Sequence, residues 1–108
     1  MNDRKLLVLA AKSMGLTTEH KWNESRLKMY PPVISLVTYQ GGELHNTAWN
    51  PLHGYGQAFK LAEYHCFSVG FKSHGAIVYG DMPNCDFIEN IDARRAIVMA
   101  AAEIGRGM

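Results

Sequence analysis

Five histidines and two cysteines are the side chains of this chain best suited to chemistry. His65, Cys66, His74 and Cys85 all fall between positions 65 and 85, and all are residue types that bind zinc. Adjacent His65 and Cys66 cannot easily both point inward from one element, and no Cys-x-x-Cys or His-x-x-x-His spacing accompanies them. A helix-terminal His65, a small buried apolar Cys66 and a His74 in a hairpin turn account for these residues without a metal. No metal ligands are assigned. A serine or cysteine nucleophile needs a base held beside it, and the chain has neither a Gly-x-Ser-x-Gly elbow nor a cysteine-protease context. No catalytic residues are assigned either. A small histidine-dependent hydrolase stays as an alternative, requiring two histidines and a nucleophile to converge in a cleft.

Anion binding has more support. Gly54-Tyr55-Gly56 stands near a helix start with His53 beside it, where free amides and the helix dipole favour negative charge. The stretch lacks the Lys-Ser/Thr of a P-loop and the third glycine of a dinucleotide fingerprint. Arg94-Arg95 lies in the first turns of the closing helix, the unfavourable end for cations, with Glu89 and Asp92 close enough to neutralise it. Arginines placed against the dipole also suit an anion or a partner surface. The candidate ligand site is therefore Trp49, Asn50, His53, Arg94 and Arg95 around one pocket. Among the loop and junction aromatics Trp22, Tyr30, Trp49 and Tyr55, Trp49 reads as a plug of the core and Trp22 as a contact surface.

The elements that position these residues follow from composition and periodicity. A length of 108 residues suits one domain, 1–108, and a 47% hydrophobic share is enough for a real core. Eleven Lys and Arg against ten Asp and Glu leave a net charge of +1, without the basic excess that phosphate-backbone binding calls for, so nucleic acid is the less favoured partner. Two cysteines make no disulfide framework. The longest apolar run, Ile97 to Ala102, is too short to span a bilayer, and the stretch Leu6 to Ala11 is interrupted at Lys12 before it resembles a signal peptide. A cytoplasmic protein with reduced thiols and no membrane partner is expected.

Asn2 caps a helix running to Met14, with Gly15 as its left-handed terminator. Thr17 to Lys28 is polar and reads as a loop with a short turn. Val33 to Tyr39 is β-branched and aromatic, hence a strand; Gly41-Gly42 turns the chain into a weaker second strand, Glu43 to Thr47. Asn50-Pro51 suits a helix start, although Gly54 and Gly56 place the firm pattern at Gln57 to His65, with Ala58, Leu61, Ala62 and His65 on one face. Phe67, Val69 and Phe71 alternate with polar residues, and Ala76 to Tyr79 answers across the Ser73-His74-Gly75 turn. Gly80 to Asn84 is a loop, and Asn90 or Asp92 caps a last helix to about Ile104, its alanines implying close packing. The order α-β-(β)-α-β-β-α predicts an α+β fold with one mainly antiparallel sheet covered by helices.

Three stretches carry a resemblance. Lys5 to Lys12 with Gly15, Trp49-Asn50-Pro51-Leu52 with Gln57 to Ala62, and Ala93 to Val98 with Ala100 to Gly105 resemble the phage ABA-sandwich domain family, small phage and prophage proteins of unassigned activity. The resemblance covers nearly the whole chain in order. It implies a helix–sheet–helix sandwich of viral origin working in the bacterial cytosol, and it brings no catalytic residues with it. Between Trp-Asn-Pro and the helix, acidic residues near a glycine are expected, and His53, Gly54, Tyr55 and Gly56 stand there instead. The functional expectation is a non-enzymatic accessory module, without a cofactor, that binds a host protein or a small anionic metabolite. A nucleic-acid-binding module is the alternative from another class. A homodimer fits every version, since six methionines offer adaptable contact surface.

Overall fold

In the computed structural model, which describes residues 2–16, 18 and 22–108, four α-helices and five strands follow in the order α1 Asp3–Ser13, α2 Trp22–Arg26, β1 Ile34–Gln40, β2 Glu43–Trp49, α3 Tyr55–Tyr64, β3 Ser68–Lys72, β4 Gly75–Tyr79, β5 Phe87–Asn90 and α4 Ala93–Arg106. The class is α+β and every strand pairing is antiparallel. No helix is long and apolar enough to cross a membrane among the described residues.

The helix boundaries are set by local chemistry. Asn2 accepts from the Lys5 amide at 2.8 Å, and Asp92 accepts from the amides of Arg94 and Arg95, so both caps satisfy N–H groups that the helix leaves free. Two helices end in the same motif. After α1, the Leu16 amide donates to the Ala11 carbonyl and Gly15, at φ +73°, donates to Lys12. After α3, Phe67 donates to Ala62 and Cys66 donates to Glu63, with Cys66 at φ +55°. These are Schellman terminators, whose left-handed residue is ordinarily glycine. The expectation of a buried apolar Cys66 is thus corrected: the thiol is exposed, because the residue turns the chain out of the helix. Cys66→Gly is expected to stabilise the fold by about 0.5–1 kcal/mol, the left-handed penalty being only partly offset by glycine's unfolded-state entropy. A thermal midpoint that rises by a few degrees checks this; one that falls assigns the thiol a packing role.

α4 is the centre of the core. Ala93, Ala96, Ile97, Val98, Ala100, Ala101, Ala102 and Gly105 are all buried, covering most of its circumference. β4 and β5 pack on one side, α3 alongside, and α1 on another side through Leu6, Leu7, Ala10 and Ala11. The expected small-residue packing is realised most tightly at Gly105, where a Cβ would stand 1.9 Å from the Leu9 carbonyl oxygen.

The strands form two sheets, not one: β1–β2, and β3–β4–β5. The separation has a visible cause. Buried Asn23 of α2 accepts from the Ser35 amide at 2.7 Å and donates to the Ser35 carbonyl at 3.3 Å. On the other edge, Gln57 accepts from the Asn50 amide at 2.7 Å and donates to the Ala48 carbonyl at 2.9 Å. Each amide side chain occupies the edge positions a neighbouring strand would need, so the base of the hairpin is closed on both sides. The third strand of the larger sheet, β5, lies just beyond the loop expected from Gly80 to Asn84. α4 packs on β4 and β5 of this sheet.

Candidate functional site

α3 buries Ala58, Leu61 and Ala62, and that stripe leaves Tyr55 and Phe59, one turn apart, on the outward side. Their rings lie 5.8 Å apart. Phe59 meets Phe71 of β3 edge-on at 6.4 Å, and Phe71 is 64% exposed although its strand position alternates with polar neighbours. Ile91, 85% exposed, completes the apolar surface beside β4. The Arg94 guanidinium lies over the Tyr55 ring at 4.5 Å, donates to the His53 carbonyl at 3.1 Å and stands 3.4 Å from Asp92. Tyr55, Phe71, Ile91 and Arg94 line a groove of about 410 Å³. The arrangement is a run of large exposed side chains with one stacked, hydrogen-bonded arginine, the side-chain chemistry of protein-binding hot spots.

The residues expected around one pocket are divided by the structure. Arg94 and His53 do meet, through the backbone carbonyl of His53, whose side chain is exposed. Arg95 is turned towards α1, where it pairs with Asp3 at 2.7 Å. Trp49 is a buried plug at the end of β2, beside Leu36 and Leu61. Asn50 is spent on the backbone: its amide nitrogen donates to the Pro32 carbonyl at 2.7 Å and its side-chain oxygen accepts from Leu52 at 3.0 Å. Of the two helix starts expected, the one at Pro51 is a hydrogen-bonded turn on the Asn50 carbonyl, and α3 begins at Tyr55, close to the later start, after Gly54, which supplies no side-chain cap. His20 and the side chain of Trp22 lie outside the described residues, and with them the contact surface expected at Trp22. Phe59 and Phe71 were not among the expected contact residues; the signal was the i, i+4 spacing of Tyr55 and Phe59 off the buried stripe.

Among the described residues, one nucleophile–histidine pair is found. Ser13 Oγ lies 2.8 Å from His65 Nε2, but its hydroxyl donates to the Ala10 carbonyl at 2.6 Å and the side chain is buried. Nε2 therefore donates to the serine oxygen, which makes the pair a helix-to-helix strut with no base directed at the hydroxyl. Among the described residues, no three His, Cys, Asp or Glu side chains are grouped as a metal would require.

Burial holds the His65 pKa below its usual 6.5. The sign follows directly. Below 6.5 the unfolded chain takes up a proton that folded His65 resists, so its contribution to stability is full above 6.5 and declines as pH falls towards the folded value. Urea midpoints measured from pH 7.5 to 5 are expected to fall, and the His65→Gln variant to fall less over the same window. Equal slopes for the two proteins would remove His65 as the source.

The fold and surface thus define a small α+β protein with an uncovered aromatic surface beside an arginine. No known protein family, curated relative or solved structure matches the chain.

Proposed function

We propose that this chain is a non-enzymatic phage or prophage accessory module that binds a host protein in the bacterial cytoplasm. The observation that carries the binding role is the continuous surface Arg94–Tyr55–Phe59–Phe71, with Ile91 at its side, left open to solvent. Burying such side chains against a partner releases roughly 25 cal/mol per Å² of apolar surface, and Tyr and Arg are over-represented where binding energy concentrates. The viral origin rests on the resemblance of Lys5–Lys12 with Gly15, Trp49–Leu52 with Gln57–Ala62, and Ala93–Val98 with Ala100–Gly105.

Binding of a protein is favoured over binding of a small anion because both candidate arginines already answer carboxylates, Arg94 with Asp92 and Arg95 with Asp3. A ligand anion there would have to compete with charges held in place by the fold.

The test is affinity capture from bacterial lysate on the immobilised chain and on a Phe59→Ser/Phe71→Ser variant, read by quantitative mass spectrometry. Both side chains are about half exposed or more, so the variant is expected to fold normally. A host protein enriched at least tenfold on the unmodified chain alone supports the reading. Identical captured sets on the two proteins overturn it.

A further inference from the structure

The opposite side of the three-stranded sheet is a second uncovered surface. Strand register puts Ser68, Tyr79 and Phe87 in one row across it and Gly70, Ile77 and Glu89 in the next. Tyr79 and Phe87 are each about half exposed, with rings 6.0 Å apart. Gly70 keeps the neighbouring strand flat: a Cβ there would have only the Ile77 carbonyl within 4 Å. The result is an aromatic step beside a shallow trough along β3.

Lys72 is the cation on this face, and the segment that follows it is acidic. Between Ser73 and Ala93 the sequence has four carboxylates, Asp81, Asp86, Glu89 and Asp92, and no lysine or arginine, in a chain whose net charge is +1. Glu89 is paired with Lys72 and Asp92 with Arg94. Asp81 and Asp86 are exposed at the aromatic end of the sheet and have no ion-pair partner among the described residues. Cys85, next to them, senses the field: burial first, then the carboxylates of Glu103 and Asp86, raise its pKa.

We propose that this sheet face docks a basic, extended protein segment, whose arginine or lysine heads lie over Tyr79 and Phe87 and pair with Asp81 and Asp86. A cation over an aromatic ring gains from the ring quadrupole, and adjacent carboxylates add charge-assisted hydrogen bonds to the same group. An open sheet face with aromatic residues also suits single-stranded nucleic acid, but that reading requires a basic rim, and here the cation on the face, Lys72, is paired with Glu89 while the aromatic end carries Asp81 and Asp86. The surface shares no residue with the Phe59–Phe71 surface, so the two readings stand or fall separately.

The experiment is fluorescence anisotropy with a labelled ten-residue peptide of alternating arginine and serine, at 50 and 150 mM salt. Four proteins are compared: the unmodified chain, Tyr79→Ser/Phe87→Ser, Asp81→Asn/Asp86→Asn, and Phe59→Ser/Phe71→Ser as the control surface. Thermal melting first confirms that each is folded, and the Asp→Asn pair, being exposed and isosteric, keeps the test open if the aromatic pair proves unstable. The expected result is saturable binding by the unmodified chain and the control, weakened at least tenfold in both sheet-face variants. Absence of binding, equal binding by all four proteins, or equal binding of a labelled oligouridine or an alternating glutamate–serine peptide overturns the proposal. So does a dimer in sedimentation that dissociates only in the Tyr79→Ser/Phe87→Ser protein, which would make a second copy the occupant.

Discussion

Gly105→Ala is expected to destabilise the fold by about 3 kcal/mol or more, a fall in melting midpoint of roughly 12 °C or greater. In an ordinary helix interior the same change stabilises by up to about 1 kcal/mol, because alanine is the better helix former. Here the added methyl carbon would lie 1.9 Å from the Leu9 carbonyl oxygen and 2.8 Å from the Leu9 carbonyl carbon. Both are backbone atoms of α1, so no rotamer change relieves the overlap. α1 must move off α4, and that loosens Leu6, Leu7, Ala10 and Ala11 together. Gly56→Ala is the control: its Cβ meets nothing within 4 Å in the first turn of α3, and it is expected to raise the midpoint slightly. Thermal scans of the two variants should move in opposite directions. A Gly105→Ala protein as stable as the parent would refute the close approach of the two helices.

Asn23→Ala is expected to cost about 2–4 kcal/mol. The asparagine is 2% exposed and Ser35 is 1% exposed, so removing the side chain strands a buried N–H and a buried C=O that water cannot readily reach. Each such unsatisfied group costs about 1–3 kcal/mol. Gln57→Ala removes the matching clasp from β2 in a more exposed setting, where water replaces part of the bonding, and is expected to cost about 1 kcal/mol. Hydrogen exchange distinguishes the sites as well as the sizes. The Ser35 amide should lose protection first in Asn23→Ala, and the Asn50 amide first in Gln57→Ala. A Ser35 amide that keeps its protection in Asn23→Ala would mean that another group bonds it.

Features set by neighbours in sequence could be read directly. The Asn2 cap, the choice of Asn90 or Asp92 that the structure resolves to Asp92, the Gly15 terminator, the β3–β4 hairpin and the alanine-rich α4 all depend on residues within a turn or two of each other. What escaped reading depends on distant partners or on weak local pattern. β5 is four residues long and follows Pro83-Asn84, so its signal is too brief to separate from the loop. α2 is five residues, four of them polar, whose value lies in what Asn23 does to β1. Nothing in the composition of β1 or β2 says that amide side chains will close their edges, so one sheet was expected where two exist. Cys66 carries no mark of its left-handed backbone, because the motif that demands it is normally filled by glycine. For the candidate site, Arg94 was legible and its partner Tyr55 lay next to the residues chosen, whereas Phe59 and Phe71 look like core residues until the buried stripe of α3 is known.

The packing of α1 on α4 also bears on how the molecule comes into being. Asp3 and Arg95 are 92 positions apart yet ion-paired, and the Leu9 carbonyl faces Gly105. On the ribosome, α1 emerges long before the helix that covers it, at a synthesis rate of about 5–20 residues per second. For several seconds its apolar face has no native partner, an interval in which it is open to chaperones and to aggregation. Native burial of that face waits until α4 is free to pack on it.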